Sequence, residues 1–269
     1  MNMAWRCLRT VGLGIVTLLS TFTATAEREQ IYVGGYLFSP YVNTENEGRY
    51  YGLTLDLITK LNRIQPDYEF KFVETSIEQR YKAFELRRFD MMMFENISWG
   101  WEGKNVEFAP IKVIDGEKFI TLAAPNKTQA YFNSFDDKHL ILVKGYHYNF
   151  AQWNSDPNYL QQHFNVQFVN SNKASIEGIL KQRGDIAPIT WSYLKDYLKR
   201  TPEHSEQFLI SSHWDQEYKH GVLLRKDSHL SLSTLTALLK KLETTGEWET
   251  LLNHYGLSSV DLNNQLVND

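Results

Sequence analysis

One phrase that ends a helix and opens a strand occurs twice, and it constrains this chain more than any other feature. Phe84-Glu85-Leu86-Arg87-Arg88-Phe89-Asp90 leads into the apolar Met91-Met92-Met93-Phe94. About 95 residues later, Ile179-Leu180-Lys181-Gln182-Arg183-Gly184-Asp185 leads into Ile186-Ala187-Pro188-Ile189. Each copy runs helix end, basic residue, aspartate, buried strand. Strands that alternate with helices pair in parallel sheets, so two similarly built α/β units are expected and a β-sandwich is not. The flanking pattern agrees. Gln30-Ile31-Tyr32-Val33-Gly34 is a short strand, and Leu53, Leu57, Leu61 and Ile64 repeat every three or four residues as one helical stripe. Residues 69–73 alternate as a strand, and a second helix runs to about Arg88. The tail carries two more stripes, Leu232, Leu235, Leu238, Leu239 and Leu242, then Trp248, Leu251, Leu252 and Tyr255. Gly246 separates them and Gly256 ends the second.

The first 26 residues belong to a different class. Arg6 and Arg9 precede an apolar run over residues 11–22, and Ala24-Thr25-Ala26 has the small-x-small form of a cleavage site. The run is about a dozen residues, short of the roughly 20 that span a bilayer. Cleavage after Ala26 leaves 243 residues with 26 basic against 32 acidic side chains, a net charge of −6. So faint an acidic balance excludes the basic face of a nucleic-acid binder. Cys7, the sole cysteine, leaves with the signal peptide, so neither a disulfide framework nor a zinc-thiolate site is available. Export without cysteines fits a bacterial periplasm.

Several short phrases follow one another in a set order. They are Tyr32-Val33-Gly34, Phe38-Ser39-Pro40-Tyr41, Gly52-Leu53-Thr54-Leu55-Asp56-Leu57, Arg88-Phe89-Asp90 and Val106-Glu107-Phe108-Ala109-Pro110. Arg183-Gly184-Asp185, His220-Gly221-Val222-Leu223-Leu224-Arg225-Lys226, Thr245-Gly246-Glu247-Trp248 and His254-Tyr255-Gly256 complete the set. In this the chain resembles the family 3 extracellular solute-binding proteins, periplasmic receptors that deliver amino acids and related small solutes to ABC importers. The resemblance implies an α/β, two-lobed periplasmic-binding-protein fold of type II, each lobe a sheet flanked by helices, joined by two hinge strands. It places lobe 1 at 27–114 plus 221–269 and lobe 2 at 115–220. Such a receptor closes because the solute contacts both lobes only in the closed form.

The departures from that family bear on the ligand. Its α-amino-acid binders carry Thr-x-x-Arg about six residues before the Phe matched by Phe108, and the Arg forks onto the ligand carboxylate. That count lands on Trp99 and Glu102, with Lys104 within a residue or two. The amine-binding Asp of the second lobe is replaced by Thr190 or Trp191. Both halves of the usual clamp are therefore expected to be missing. Glu102 in the cleft would repel a carboxylate and favour a cationic or aromatic small molecule, held against aromatic faces such as Phe38, Tyr41 and Trp99. In the second lobe, Tyr146 and His147 stand where small hydroxyl residues are common in the family. Glu95, Asn96 and Ser98, beside Trp99, complete the expected ligand-binding set with Phe38, Tyr41, Glu102, Tyr146, His147, Thr190 and Trp191.

No Gly-x-Ser-x-Gly elbow, phosphate loop or His-Glu-x-x-His helix occurs, so no catalytic residue, metal or cofactor is expected. The reading is a monomeric periplasmic receptor, not an enzyme. Its partner is the membrane permease of an ABC importer or, alternatively, a membrane sensor. A further alternative is a periplasmic enzyme of the same fold, similar to the cyclohexadienyl dehydratases.

Overall fold

A computed structural model of the chain describes residues 27–45 and 48–259. The segment expected to be a signal peptide, with Cys7, lies outside the described residues.

The chain opens with β1 (Glu29–Gly35), a small hairpin of β2 (Asn43–Thr44) and β3 (Tyr50–Tyr51), α1 (Leu53–Ile64) and β4 (Tyr68–Glu74). It continues through α2 (Arg80–Glu85), β5 (Met91–Glu95) and β6 (Val106–Pro110). Residues 111–115 then cross to a second sheet. There follow β7 (Gly116–Leu122), β8 (His139–Val143), α3 (Pro157–His163), β9 (Asn165–Val169) and α4 (Asn172–Leu180). After β10 (Ala187–Thr190), α5 (Trp191–Arg200), β11 (Phe208–Ile210) and β12 (Gln216–Glu217), residues 218–220 cross back. The chain ends in β13 (Gly221–Arg225), α6 (Leu232–Thr244) and α7 (Glu247–His254).

Both sheets follow one plan. The first runs β4-β1-β5-β13-β6, with β1, β4 and β5 parallel and β13 antiparallel to both of its neighbours. In the second, β8 and β9 are parallel, a parallel bridge from Leu140 to Ile186 brings β8 beside the entry to β10, and antiparallel β7 lies between β10 and β11. In each, the odd strand out comes from the other end of the unit, so the two crossings are forced by the sheets.

The repeated phrase does the same work twice. Arg87 and Gln182 take left-handed φ values of 57° and 54° and stop α2 and α4. The next amide then reaches back five residues, from Arg88 to Ala83 O at 3.0 Å and from Arg183 to Gly178 O at 2.9 Å. Asp90 accepts the Tyr32 amide at 2.8 Å, and Asp185 accepts the His139 amide at 2.8 Å, so each aspartate ties its incoming strand to the first of the parallel strands of its sheet. The second helix, expected to reach Arg88, ends at Glu85 because this turn begins earlier.

One core fills the first sheet's faces, with Leu57 and Leu61 of α1, Phe89, Met91 and the tail residues Leu235, Leu242 and Leu252 fully buried. Each such side chain contributes about 1.5–3 kcal/mol. The second sheet has a core on each face, one around Leu140 and Tyr148 and one around Ile176 and Ile189. No side chain caps α1; its first amides, Leu53 and Thr54, donate to Pro40 O and Tyr41 O at 3.2 and 2.9 Å. Gly52 makes this possible, with φ at 128° and the place of a Cβ only 2.6 Å from Tyr41 O. The loop after β1 is thereby fixed to α1. No described helix is long and apolar enough to cross a membrane.

Candidate functional site

The C-terminal ends of the parallel strands in both sheets carry loops that face each other. From the first sheet, the loop after β1 brings Tyr36 and Phe38, the segment before α2 brings Ile77, the start of α2 brings Arg80, and the turn after β5 brings Trp99. From the second, β7 brings Glu117, the turn after β8 brings Gly145, Tyr146 and His147, and β12 with the returning crossing brings Gln216 and Tyr218. These side chains enclose one cavity of about 10 Å³, the space of a single water centre. Across it Phe38 meets Tyr146 edge to face at 5.7 Å, and Trp99 Nε1 donates to Gln216 Oε1 at 3.2 Å. At the rim Lys144 pairs with Glu78 at 2.8 Å.

The turn after β5 is shaped by its own polar groups. Asn96 Oδ1 accepts the Ser98 amide at 3.1 Å, and the Trp99 and Trp101 amides return to Asn96 O and Ile97 O. Trp99 is thereby aimed at the cavity and Trp101 into the first core, where its Nε1 donates to Glu95 Oε2 at 2.6 Å. Arg80 is buried against Glu95, with Nε 3.8 Å from Oε2. Its terminal nitrogens donate to Ile77 O and the Tyr81 hydroxyl, and the guanidinium lies 4.3 Å from the Tyr81 ring centre. Burial works against the guanidinium's charge, but Tyr36 and Glu95 outweigh it. Burial pushes the Glu95 carboxyl up, while Arg80, Trp101 and Tyr36 oppose the shift. The two charges neutralise one another inside the first lobe.

The facing wall is acidic. Glu117 is 2% exposed, accepts from Gln216 Nε2 at 2.7 Å, and is held well above the usual carboxylate range by burial and by the charge of Asp215. Asp215 accepts the Asn149 and Phe150 amides at 2.9 and 3.0 Å, and burial raises it to about 6. His147 is pushed down to about 3 by burial and then by the Arg80 charge, and its Nε2 lies 3.2 Å from Ser155 Oγ. Lys118, next along β7, points to the opposite side, 5.1 and 4.7 Å from the ring centres of Trp191 and Trp214.

Solved structures with this architecture identify it. The chain superposes with a TM-score of 0.65 on the substrate binding protein of an amino acid ABC transporter, at 14% identity over 84% of this chain and 98% of that one. A histidine kinase sensor domain with similarity to periplasmic binding proteins gives a TM-score of 0.68, 13% identity and coverage of 85% and 96%. An ancestral amino acid-binding protein, a precursor of cyclohexadienyl dehydratase, gives 0.64, 17%, 84% and 94%. The fold is that of the two-lobed periplasmic binding proteins. No family model and no curated protein matches the chain.

The expected residues divide around the cavity between the two sheets. Phe38, Trp99, Tyr146 and His147 line it. Glu95, Asn96 and Ser98 stand behind the wall, as support for Arg80 and for the Trp99 turn. Glu102 does not face the cavity: Gly100 and Gly103, with φ at 77° and 75°, turn the loop outward and leave this acid exposed. Thr190 is fully buried, and its hydroxyl is taken by Asn172 and Tyr218. Trp191 packs on the outside with Lys118. Tyr41 belongs to the crossing, where its hydroxyl donates to Asp115 Oδ2 at 2.8 Å. That carboxylate also accepts the Ser192 amide and hydroxyl at the start of α5, and His220 Nε2 lies 3.0 Å from the same Tyr41 hydroxyl.

Sequence reasoning missed Arg80, Glu117, Gln216 and Tyr218. Glu117 left a trace: it is an acid on the same strand face as Phe119 and Thr121 in β7, and all three are buried. Arg80 left another, since a cation at the start of a helix meets the positive end of the dipole. Among the described residues no group of three or more His, Cys, Asp or Glu converges as metal ligands would.

Proposed function

We propose that the protein is an exported periplasmic receptor whose lobes, 27–114 plus 221–269 and 115–220, close around one small solute. The observation that carries this is a small cavity lined by polar and aromatic side chains from both lobes. A solute touching Phe38, Trp99 and Arg80 on one side and Glu117 and Tyr146 on the other stabilises only the closed form. The ligand is a molecule other than a standard α-amino acid. The family's clamp positions support this, because Glu102 is exposed, Thr190 is engaged within the second lobe and Trp191 is outside. The receptor hands its solute to an importer permease. The similarity to a kinase sensor domain supports a second reading, in which it reports the solute to a membrane sensor. Neither role needs catalysis. X-ray scattering tests the closure: protein stripped of solute by unfolding and refolding should compact when given back the small molecules extracted from native preparations. An unchanged radius of gyration on reloading would overturn the hinge-receptor reading.

A further inference from the structure

We propose that the cleft takes an organic cation, with its ammonium or amidinium group placed at Glu117 among the rings of Trp99, Tyr146 and Tyr218. This rests on the receptor reading above and assigns the chemical class of its solute. The charges on the cavity's two walls are not equivalent. On the first lobe Arg80 is answered by Glu95 and bound to Ile77 O and Tyr81. On the second lobe the groups acting on Glu117 are Gln216, Tyr218 and two further carboxylates, Asp115 and Asp215. Asp115 is answered by the Ser192 and Tyr41 donors and Asp215 by two backbone amides, all of them neutral groups. His147, on the same wall, is held neutral, and Lys118 points away between Trp191 and Trp214.

The second-lobe wall therefore concentrates acid with no cation of its own, Arg80 across the cavity being paired with Glu95, and a ligand's positive group supplies what that wall leaves out. The aromatic faces that surround it attract the same charge. A proton is the smallest occupant, since burial beside Asp215 favours the protonated Glu117 carboxyl. An arriving ammonium takes over that role, and the proton leaves to solvent. Binding of a permanent charge at Glu117 is thus coupled to proton release. Asp115, Asp215 and Tyr218 act on it, and Arg80, Tyr36, Tyr146 and His147 are the other ionisable groups lining the cavity.

Three probes of one shape separate the possibilities: benzylamine, charged at neutral pH, its neutral counterpart benzyl alcohol, and the anion benzoate. Titration calorimetry on the full protein should find benzylamine the tightest, by about tenfold or more over benzyl alcohol, the usual worth of a charged hydrogen bond. Benzylamine binding should release protons, seen as a heat that changes with the ionisation enthalpy of the buffer. Glu117→Gln should lose that tenfold preference and the proton release. Benzoate binding as well as benzylamine, an undiminished preference in the Gln variant, or no binding of benzylamine at millimolar concentration overturns the assignment. Should the variant fail to fold, a buffer-independent heat in the unaltered protein overturns it instead. Benzylamine binding without compaction in scattering would sink the receptor reading and leave the cation assignment standing; compaction by benzoate alone would do the reverse.

Discussion

Asp215 and His220 sit near the two crossings and answer pH in opposite senses. Asp215 titrates at about 6 in the folded protein against 3.8 for an ordinary Asp. A carboxyl whose folded value is raised holds its proton longer when folded, so its contribution is present at low pH and is lost as pH rises from about 4 to about 6. The change is roughly 3 kcal/mol for a shift of this size. Asp215→Asn should therefore flatten that stretch of the stability profile, as urea midpoints taken across it will show. His220 is depressed to about 3 by burial. Its contribution is present above the ordinary histidine value of 6.5 and is lost as pH falls toward 3. His220→Gln, which keeps a polar partner for Tyr41, should make acid unfolding less steep; an acid limb of unchanged slope would contradict this. At this scale the sequence was only partly legible. The aromatic lining by Phe38, Trp99 and Tyr146 could be read from loop positions, whereas Glu102 was drawn into the site by a residue count blind to the turns at Gly100 and Gly103. Arg80 and Glu117 were missed because a family's motif position says nothing about a charge delivered from another element.

The elements were more readable, for a physical reason. A helix stripe or a buried strand is a pattern of many residues, and no single substitution erases it. The paired phrase is the best case, since Asp90 and Asp185 do identical work in the two sheets. Removing either acceptor leaves a strand amide without its partner, so Asp90→Ala and Asp185→Ala should each cost about 1–3 kcal/mol, measured by chemical denaturation. Asp→Asn at the same places keeps one acceptor oxygen and should lose clearly less. Equal losses for Ala and Asn would show that the clasp contributes nothing. Helix ends were the least legible part, because α2 stops where Arg87 turns left-handed and not where its apolar stripe runs out. The order of the strands was likewise beyond a reading of local periodicity, which contains no information on which strand lies beside which.

For the whole molecule, closure depends on how closely the two rims approach. Gly145 has φ at 82°, and a Cβ there would lie 3.2 Å from Ile77 on the opposite lobe. Gly145→Val adds both strain, of order 1–3 kcal/mol, and bulk at the seam. It should hold the lobes apart, raising the radius of gyration and weakening any cleft ligand. The rim pair of Lys144 and Glu78 is half exposed, so Lys144→Ala should change closure by less than about 1 kcal/mol. The plan of the first sheet also has a consequence for synthesis. Strand β6 sits at the sheet's edge with β13 as its sheet partner, and β13 is contributed by residues 221–225. As the polypeptide emerges from its N-terminus, the whole second lobe can form while the first still waits for its fifth strand. The half of the molecule that is made first is thus the half that is finished last, and its unpaired edge stays open to chaperones, proteases and neighbouring chains for about half the time of synthesis.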